Sequence, residues 1–158
     1  MKLKFVLMKS ILILLLFTVL LSCNRQSKIM LIDTTDSKFK VGQVWKYKTR
    51  PNEENSRLTI AKVENEPKNG NIIHITVTNL KIKNPHAPSG YTDLIGRMPL
   101  AESAVAESAT ELSNEMPDLS SYKEGYQDWR EAFDNGRGGI WTLPVSECVA
   151  AMEEVVNK

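Results

Sequence analysis

Apolar positions along this chain change their spacing three times, and each change predicts a different kind of structure. An apolar run from Ile11 to Leu21, interrupted only by Thr18, stops at Ser22-Cys23, with polar sequence directly behind it. From Phe39 the texture changes to that of strands, with a period of two. In "VGQVWKYKT" Trp45 and Tyr47 share one face of an extended segment, with Val44, Lys46 and Lys48 on the other. "PNEENS" reads as a turn, and "RLTIAKVEN" as a second strand with Leu58 and Ile60 facing inward. Asn69-Gly70 predicts a hairpin, because both turn positions of such a dipeptide favour positive φ. "NIIHITVTNLKI" is a third strand with Ile73, Ile75 and Val77 on one face. Its parity then slips to Leu80 and Ile82, which predicts a bulge or strong twist near Asn79. Beyond the Pro-rich loop "KNPHAPSG", "YTDLIGRMPL" predicts a fourth strand.

Helical spacing follows. "LAESAVAESATELSNE" sets Ala101, Val105, Ser108 and Leu112 on one stripe. "SYKEGYQDWREAFDNG" sets Tyr122, Tyr126, Trp129 and Phe133 at helical intervals and closes on Asn135-Gly136, a C-cap signature. "GGIWTL" is a short strand, and Pro144 opens a last helix carrying Val145, Cys148, Val149, Met152, Val155 and Val156 on one face. The order β-β-β-β-α-α-β-α predicts one α+β domain over residues 39–158. Its architecture would be a mostly antiparallel sheet of four to five strands with about three helices on one face. Residues 23–38 read as a tether, in which "IMLI" is either linker or an edge strand.

The first apolar run is preceded by Lys2, Lys4 and Lys9 and by no acid, the layout of an export signal. Eleven residues of helix would span about 16 Å, half a hydrocarbon core, so the run is too short to cross a membrane. Leu20-Leu21-Ser22-Cys23 resembles the lipobox of bacterial lipoproteins. That resemblance implies that residues 1–22 are removed, that diacylglycerol is joined to the Cys23 thiol and that the new amine is acylated. Several acyl chains would make a stable anchor where one makes a passing contact. Asn24 in place of an aspartate implies the periplasmic face of the outer membrane, with the inner membrane or cell surface as alternatives. The body, through "VGQVWKYKTRPNEENSRLTIAKVE", "IIHITVTNLKIKNP", "GRMPLAESAVAESATEL" and "GYQDWREAFDNGRGGIWTL", resembles a group of uncharacterised bacterial proteins. That likeness spans most of residues 39–157 and implies one domain and no particular activity.

Charge and chemistry narrow the function only by class. The chain has 20 basic and 19 acidic side chains; without Lys2, Lys4 and Lys9 the balance is 17 to 19, or −2. Such a surface has no electrostatic footprint for nucleic acid. With Cys23 lipidated, Cys148 is the only thiol, so no intramolecular disulfide forms. On an apolar helix face Cys148 reads as a small core residue rather than a nucleophile. His74 reads as a surface histidine and His86 as a loop histidine; with Asp93 they lack the close spacing of a zinc site, so no metal or cofactor is assigned. There is no Gly-x-Ser-x-Gly elbow, and the pairs Glu102–Asp93 and Glu124–Asp128 are what 19 acids give by chance. The aromatic stripe of Tyr122, Tyr126, Trp129 and Phe133 reads as packing on the sheet. The sequence therefore points to a non-catalytic module that binds another protein, as accessory, inhibitor or immunity proteins do. A small hydrolase of cell-wall or ester substrates is the alternative. Trp129, Arg130, Arg137 and Trp141 are the candidate partner surface, being residue types enriched at interface hot spots, and the loop Asn84–Gly90 is the other exposed candidate.

Overall fold

The computed structural model describes residues 29–158, so the signal, the lipobox and Cys23 lie outside the described residues. In chain order the elements are β1 (Ile32–Asp33), β2 (Val44–Tyr47), β3 (Arg57–Glu66), β4 (Gly70–Thr78), β5 (Ile82–Lys83), β6 (Tyr91–Thr92) and β7 (Ile95–Ala101). They continue with α1 (Glu102–Ser108), β8 (Ala109–Ser113), α2 (Tyr122–Asp134) and α3 (Val145–Val156). The main sheet is antiparallel in the order β7-β4-β3-β2-β8, with β1 added on β3; β5 and β6 form a separate hairpin. The molecule is α+β, one domain with three helices and a sheet of five to six strands among the described residues.

The long central hairpin follows from its alternation. Leu58, Ile60, Val63, Ile73, Ile75 and Val77 all reach one face and are buried there with Met98 and Leu100 of β7. The turn is one residue longer than the Asn-Gly dipeptide predicts, since Glu66 pairs with Gly70. Asn69 N–H bonds to the Glu66 carbonyl (3.2 Å) and to the Glu66 carboxylate (2.7 Å), and only Gly70 takes a positive φ of 75°. That is a type I turn with Pro67 leading it, closed by a glycine bulge. The parity slip sits where the sequence places it: Asn79 has φ 56°, ending β4 and sending Leu80 and Ile82 back into the core.

Two predicted elements change identity. The stripe from Ala101 to Leu112 is a helix only as far as Ser108, and residues 109–113 form the edge strand β8 along β2. Ser108 is the pivot. Its buried hydroxyl donates to the Ala104 carbonyl (2.7 Å) and accepts the Val145 N–H (2.9 Å). The helix start of α3 thus replaces a further turn of α1, and the open edge of β2 supplies ladder bonds that outweigh local helix preference. The segment "GGIWTL" pairs only at Trp141, in parallel with Leu100, through Ala101 N–H to Trp141 O and Trp141 N–H to Pro99 O, both 2.8 Å.

The helices divide between the two faces rather than sharing one. Ala104 and Val105 of α1, with Val145, Cys148 and Val149 of α3, cover the apolar face. Trp129 and Phe133 of α2 cover the other, packing on Ile72 with Ile29, Leu31, Tyr126 and Ile140. Alternation alone marks that second face as solvated, because it carries Thr59, Lys62, Glu64, His74 and Thr76. It is buried because its polar groups find one another under α2. "IMLI" is accordingly the edge strand of its two readings: Ile32 pairs with Asn65, and Ile29 and Leu31 pack under α2.

Candidate functional site

The chemistry-bearing groups meet beneath α2, around Glu64. The register of β3 and β4 sets Lys62 opposite His74 and Glu64 opposite Ile72, all on the face that α2 covers. His74 Nε2 lies 2.9 Å from Glu64 Oε2, and Tyr126 O–H donates to Glu64 Oε1 at 2.6 Å. Lys62 Nζ stands 3.2 Å and Arg130 Nη1 3.8 Å from Oε1, and Lys62 also pairs with Asp33 of β1. His74 is ringed edge-on by Trp129, Tyr126 and Tyr122, at centroid distances of 4.6, 5.4 and 6.0 Å.

The electrostatics assign the protons. Burial pushes the His74 imidazole below its usual range despite the adjacent carboxylate, so the ring is neutral at pH 7. Burial alone would raise the Glu64 carboxyl, but the bonds from His74 and Tyr126 and the charge of Lys62 outweigh it and hold the group ionised. An ionised carboxylate only accepts, so His74 carries its proton on Nε2 and donates it to Glu64. Burial first, and then the neighbouring carboxylate, push the Tyr126 hydroxyl up to about 12. The result is a charged carboxylate saturated by donors, with His74 completely enclosed. A general base needs reach to its substrate proton; His74 has none in this conformation. Sequence reading places His74 on the surface and does not single out Glu64. The signal that could have found the pair was the register across the hairpin, which aligns two ionisable residues under the one aromatic helix.

The residues named as candidates fall in separate places. Trp129 is core: it stacks on Phe133 at 4.8 Å and donates its indole N–H to Gly139 O at 2.9 Å. Arg130 is half-buried, bonding Asp134 through Nε (3.1 Å) and the Ile29 carbonyl through Nη2 (3.1 Å). Arg137 is exposed just past the end of α2, where Gly136 N–H to Phe133 O and Arg137 N–H to Ala132 O close the helix. Trp141 belongs to the opposite face of the sheet and packs against the main core. The four do not form one surface, because the sheet lies between Trp129 and Trp141. His86 and Asp93 do not join His74. His86 is exposed in the 84–90 loop, and Asp93 lines a polar hollow of about 410 Å³ with Glu53, Asn55, Asn79 and Lys81. Glu102 is engaged by Ser37 (2.7 Å) and Asn71 (2.8 Å), while the Glu124 side chain lies outside the described residues. Among the described residues no group of three or more potential ligands is placed to hold a metal.

Cys148 is fully enclosed, and burial pushes its thiol up to about 11. Its Sγ lies 3.3 Å from the Leu143 carbonyl. Such a thiol is almost all protonated at neutral pH. Labelling by a thiol reagent is expected to be slow in the native protein and fast in denaturant; rapid native labelling would return Cys148 to the reactive sites.

Trp141 does border an open feature. An apolar cleft of about 380 Å³ runs between the outer face of α3 and the β5–β6 hairpin, lined by Ile82, Ile95, Trp141, Met152, Val155 and Val156. Val155 is 71% exposed there. Hydrogen bonds and ion pairs tie α3 to the neighbouring loops. Arg50 binds Glu53 through two bonds (2.9 and 2.6 Å) and Glu153 of α3 through a third (2.7 Å), and Glu53 also accepts the Lys81 N–H (2.7 Å). Asn157 adds a bond to the Lys83 carbonyl at 2.8 Å. Compared with protein-family models, with curated proteins and with solved structures, the chain matches none. No helix among the described residues is long and apolar enough to cross a membrane.

Proposed function

We propose that this is a lipid-anchored protein of the bacterial envelope that works by binding another protein and turns over no substrate. The observation that carries the reading is the apolar cleft beside α3. It combines the aromatic Trp141 with an exposed valine, and lysines at positions 83 and 158 stand in β5 and just past the end of α3. That combination suits a partner segment whose apolar side chain fills the cleft and whose flanking acids meet the lysines. Enclosure of His74 and Cys148 supports the same view, since the two groups best suited to catalysis serve packing and internal hydrogen bonds. Address supports it as well: acyl chains on Cys23 would hold the cleft near a membrane face, where a local partner is met repeatedly without high affinity.

The test is made in intact cells. A photo-crosslinker at position 155 is expected to give one discrete adduct. Val155→Glu in the same background should abolish the corresponding co-purification while moving the thermal midpoint little, because the side chain is exposed. Cys23→Ala should block lipid attachment and the processing that goes with it, changing the mass of the protein and its partition into the membrane fraction. An unchanged mass sinks the anchor, and co-purification that survives Val155→Glu sinks the cleft. Hydrolysis of peptidoglycan or esters by the purified protein, lost on His74→Ala, would overturn the non-catalytic reading.

A further inference from the structure

Four polar atoms under the first turns of α2 are buried and have no hydrogen-bond partner: His74 Nδ1, Thr76 Oγ1, Arg97 Nε and Tyr122 Oη. A buried polar group left unpaired is costly, so four beneath one stretch of helix call for an explanation. They are neighbours by construction. Thr76 follows His74 on the same face of β4, and the β4–β7 register shifts between Ile75 and Val77, which sets Gly96 and Arg97 of β7 against Thr76. Tyr122 stands over His74 at 6.0 Å between ring centroids. The helix backbone closes the top: a Cβ at Gly125 would lie 3.0 Å from Arg97 Nε, and one at Gly96 would lie 3.0 Å from the Ser121 carbonyl. His74 and Thr76 are fully enclosed, and Tyr122 is 9% exposed.

The chemistry of this wall is mainly that of hydrogen-bond donors, although the Asp128 carboxylate also acts on Arg97. Arg97 makes no ion pair among the described residues, whereas the nearby Lys62 and Arg130 are both committed to Glu64. Two hydroxyls can donate beside it. Ser121 gives α2 no side-chain cap, so the positive end of the helix adds to the guanidinium. His74 contributes the complement: with its Nε2 proton given to Glu64, its Nδ1 is a bare acceptor. Together these groups ask for an occupant that is anionic, accepts several hydrogen bonds and donates one.

We infer that the space between β4, β7 and the start of α2 is a binding site for a small protonated oxyanion, of which hydrogen phosphate is the simplest. Its charged oxygens meet Arg97, Thr76 and Tyr122, and its hydroxyl donates to His74 Nδ1. Glu64 is then a positioning residue that fixes the imidazole tautomer. This site is separate from the apolar cleft on the other face of the sheet, and either stands without the other.

Melting of the full chain in detergent at constant ionic strength tests the inference, with inorganic phosphate, sulfate and chloride as the probes. Phosphate is expected to raise the midpoint by several degrees and to saturate, as ligand binding to the native state requires. Sulfate, which has no proton to donate at pH 7, should do so much less. Arg97→Gln should remove the phosphate response. Tyr122→Phe and Thr76→Val should weaken that response, yet leave the phosphate-free midpoint unchanged or higher, because each deletes an unpaired hydroxyl. An equal response to sulfate, or a response that survives Arg97→Gln, overturns the site. So does a lower phosphate-free midpoint in both hydroxyl variants, which would show ordered water, not a ligand, satisfying these groups.

Discussion

Replacing Glu64 by alanine is expected to destabilise the domain by about 3–5 kcal/mol, the range for removing one partner of a buried ion pair. The carboxylate is 3% exposed and accepts from His74 and Tyr126 while facing Lys62 and Arg130. Its loss leaves two donors unpaired and two cations, Lys62 on the sheet and Arg130 on α2, without the carboxylate between them. Glu64→Gln keeps the volume and one acceptor but drops the charge, so it should cost less than the alanine. Urea unfolding with an unchanged m-value measures both. A loss below about 1 kcal/mol for the alanine would place the cluster in the class of exposed pairs, and the buried network would be wrong.

The same cluster makes the fold acid-labile. His74 has a native pKa below its ordinary 6.5, so between those two values the unfolded chain binds a proton that the native ring refuses. Stability from His74 is therefore full above about pH 6.5 and declines as pH falls toward the native pKa. Glu64 is depressed from 4.5, so its contribution is full above that value and is lost as pH drops through the native pKa. The two groups act in sequence and in the same direction, with Lys62, Arg97, Tyr122, Tyr126 and Arg130 as the facing groups. His74→Phe should flatten the upper part of the profile and weaken the lower part, because Glu64 loses one of the hydrogen bonds that hold it ionised.

How much of this was legible in the sequence differs by face. Strands with clean alternation, such as β3 and β4, declare themselves, because burial on one side selects Leu58, Ile60, Ile73, Ile75 and Val77. The stripe Tyr122–Phe133 and its Asn135-Gly136 close were equally plain, since both rest on local geometry. The second face was not legible. Glu64, Lys62, His74 and Thr76 look solvated one at a time, and only their pairing across the sheet lets α2 cover them. Residues 109–113 were misread for a related reason. "ATELS" has no strong preference, and the vacant edge of β2, some sixty residues away, decides it. The candidate partner surface failed as a unit on long-range grounds too. Trp129, Arg130, Arg137 and Trp141 are close in sequence, but the chain turns round the sheet edge between Gly136 and Trp141 and delivers the second indole to the other side.

Trp129→Ala is expected to cost about 3–5 kcal/mol, the range for truncating a large core aromatic. Trp129 is 5% exposed and stacks on Phe133 at an interplanar angle of 28°. It also presents an edge contact to His74, and its indole N–H satisfies the Gly139 carbonyl. Truncation would open a void directly over the Glu64–His74 pair and admit water to it, so the loss combines a cavity with a weakened buried hydrogen bond to the carboxylate. Trp129→Phe should recover most of the packing and still cost about 1–3 kcal/mol, since the Gly139 carbonyl loses its donor. Arg137→Ala is the comparison that gives these numbers meaning. Its side chain is exposed, and its change should fall within about 0.5 kcal/mol of zero. Chemical denaturation of the three variants separates the two roles that neighbouring positions suggest. A Trp129→Ala protein as stable as Arg137→Ala would put the indole back on the surface, and α2 would then not cover the second face of the sheet.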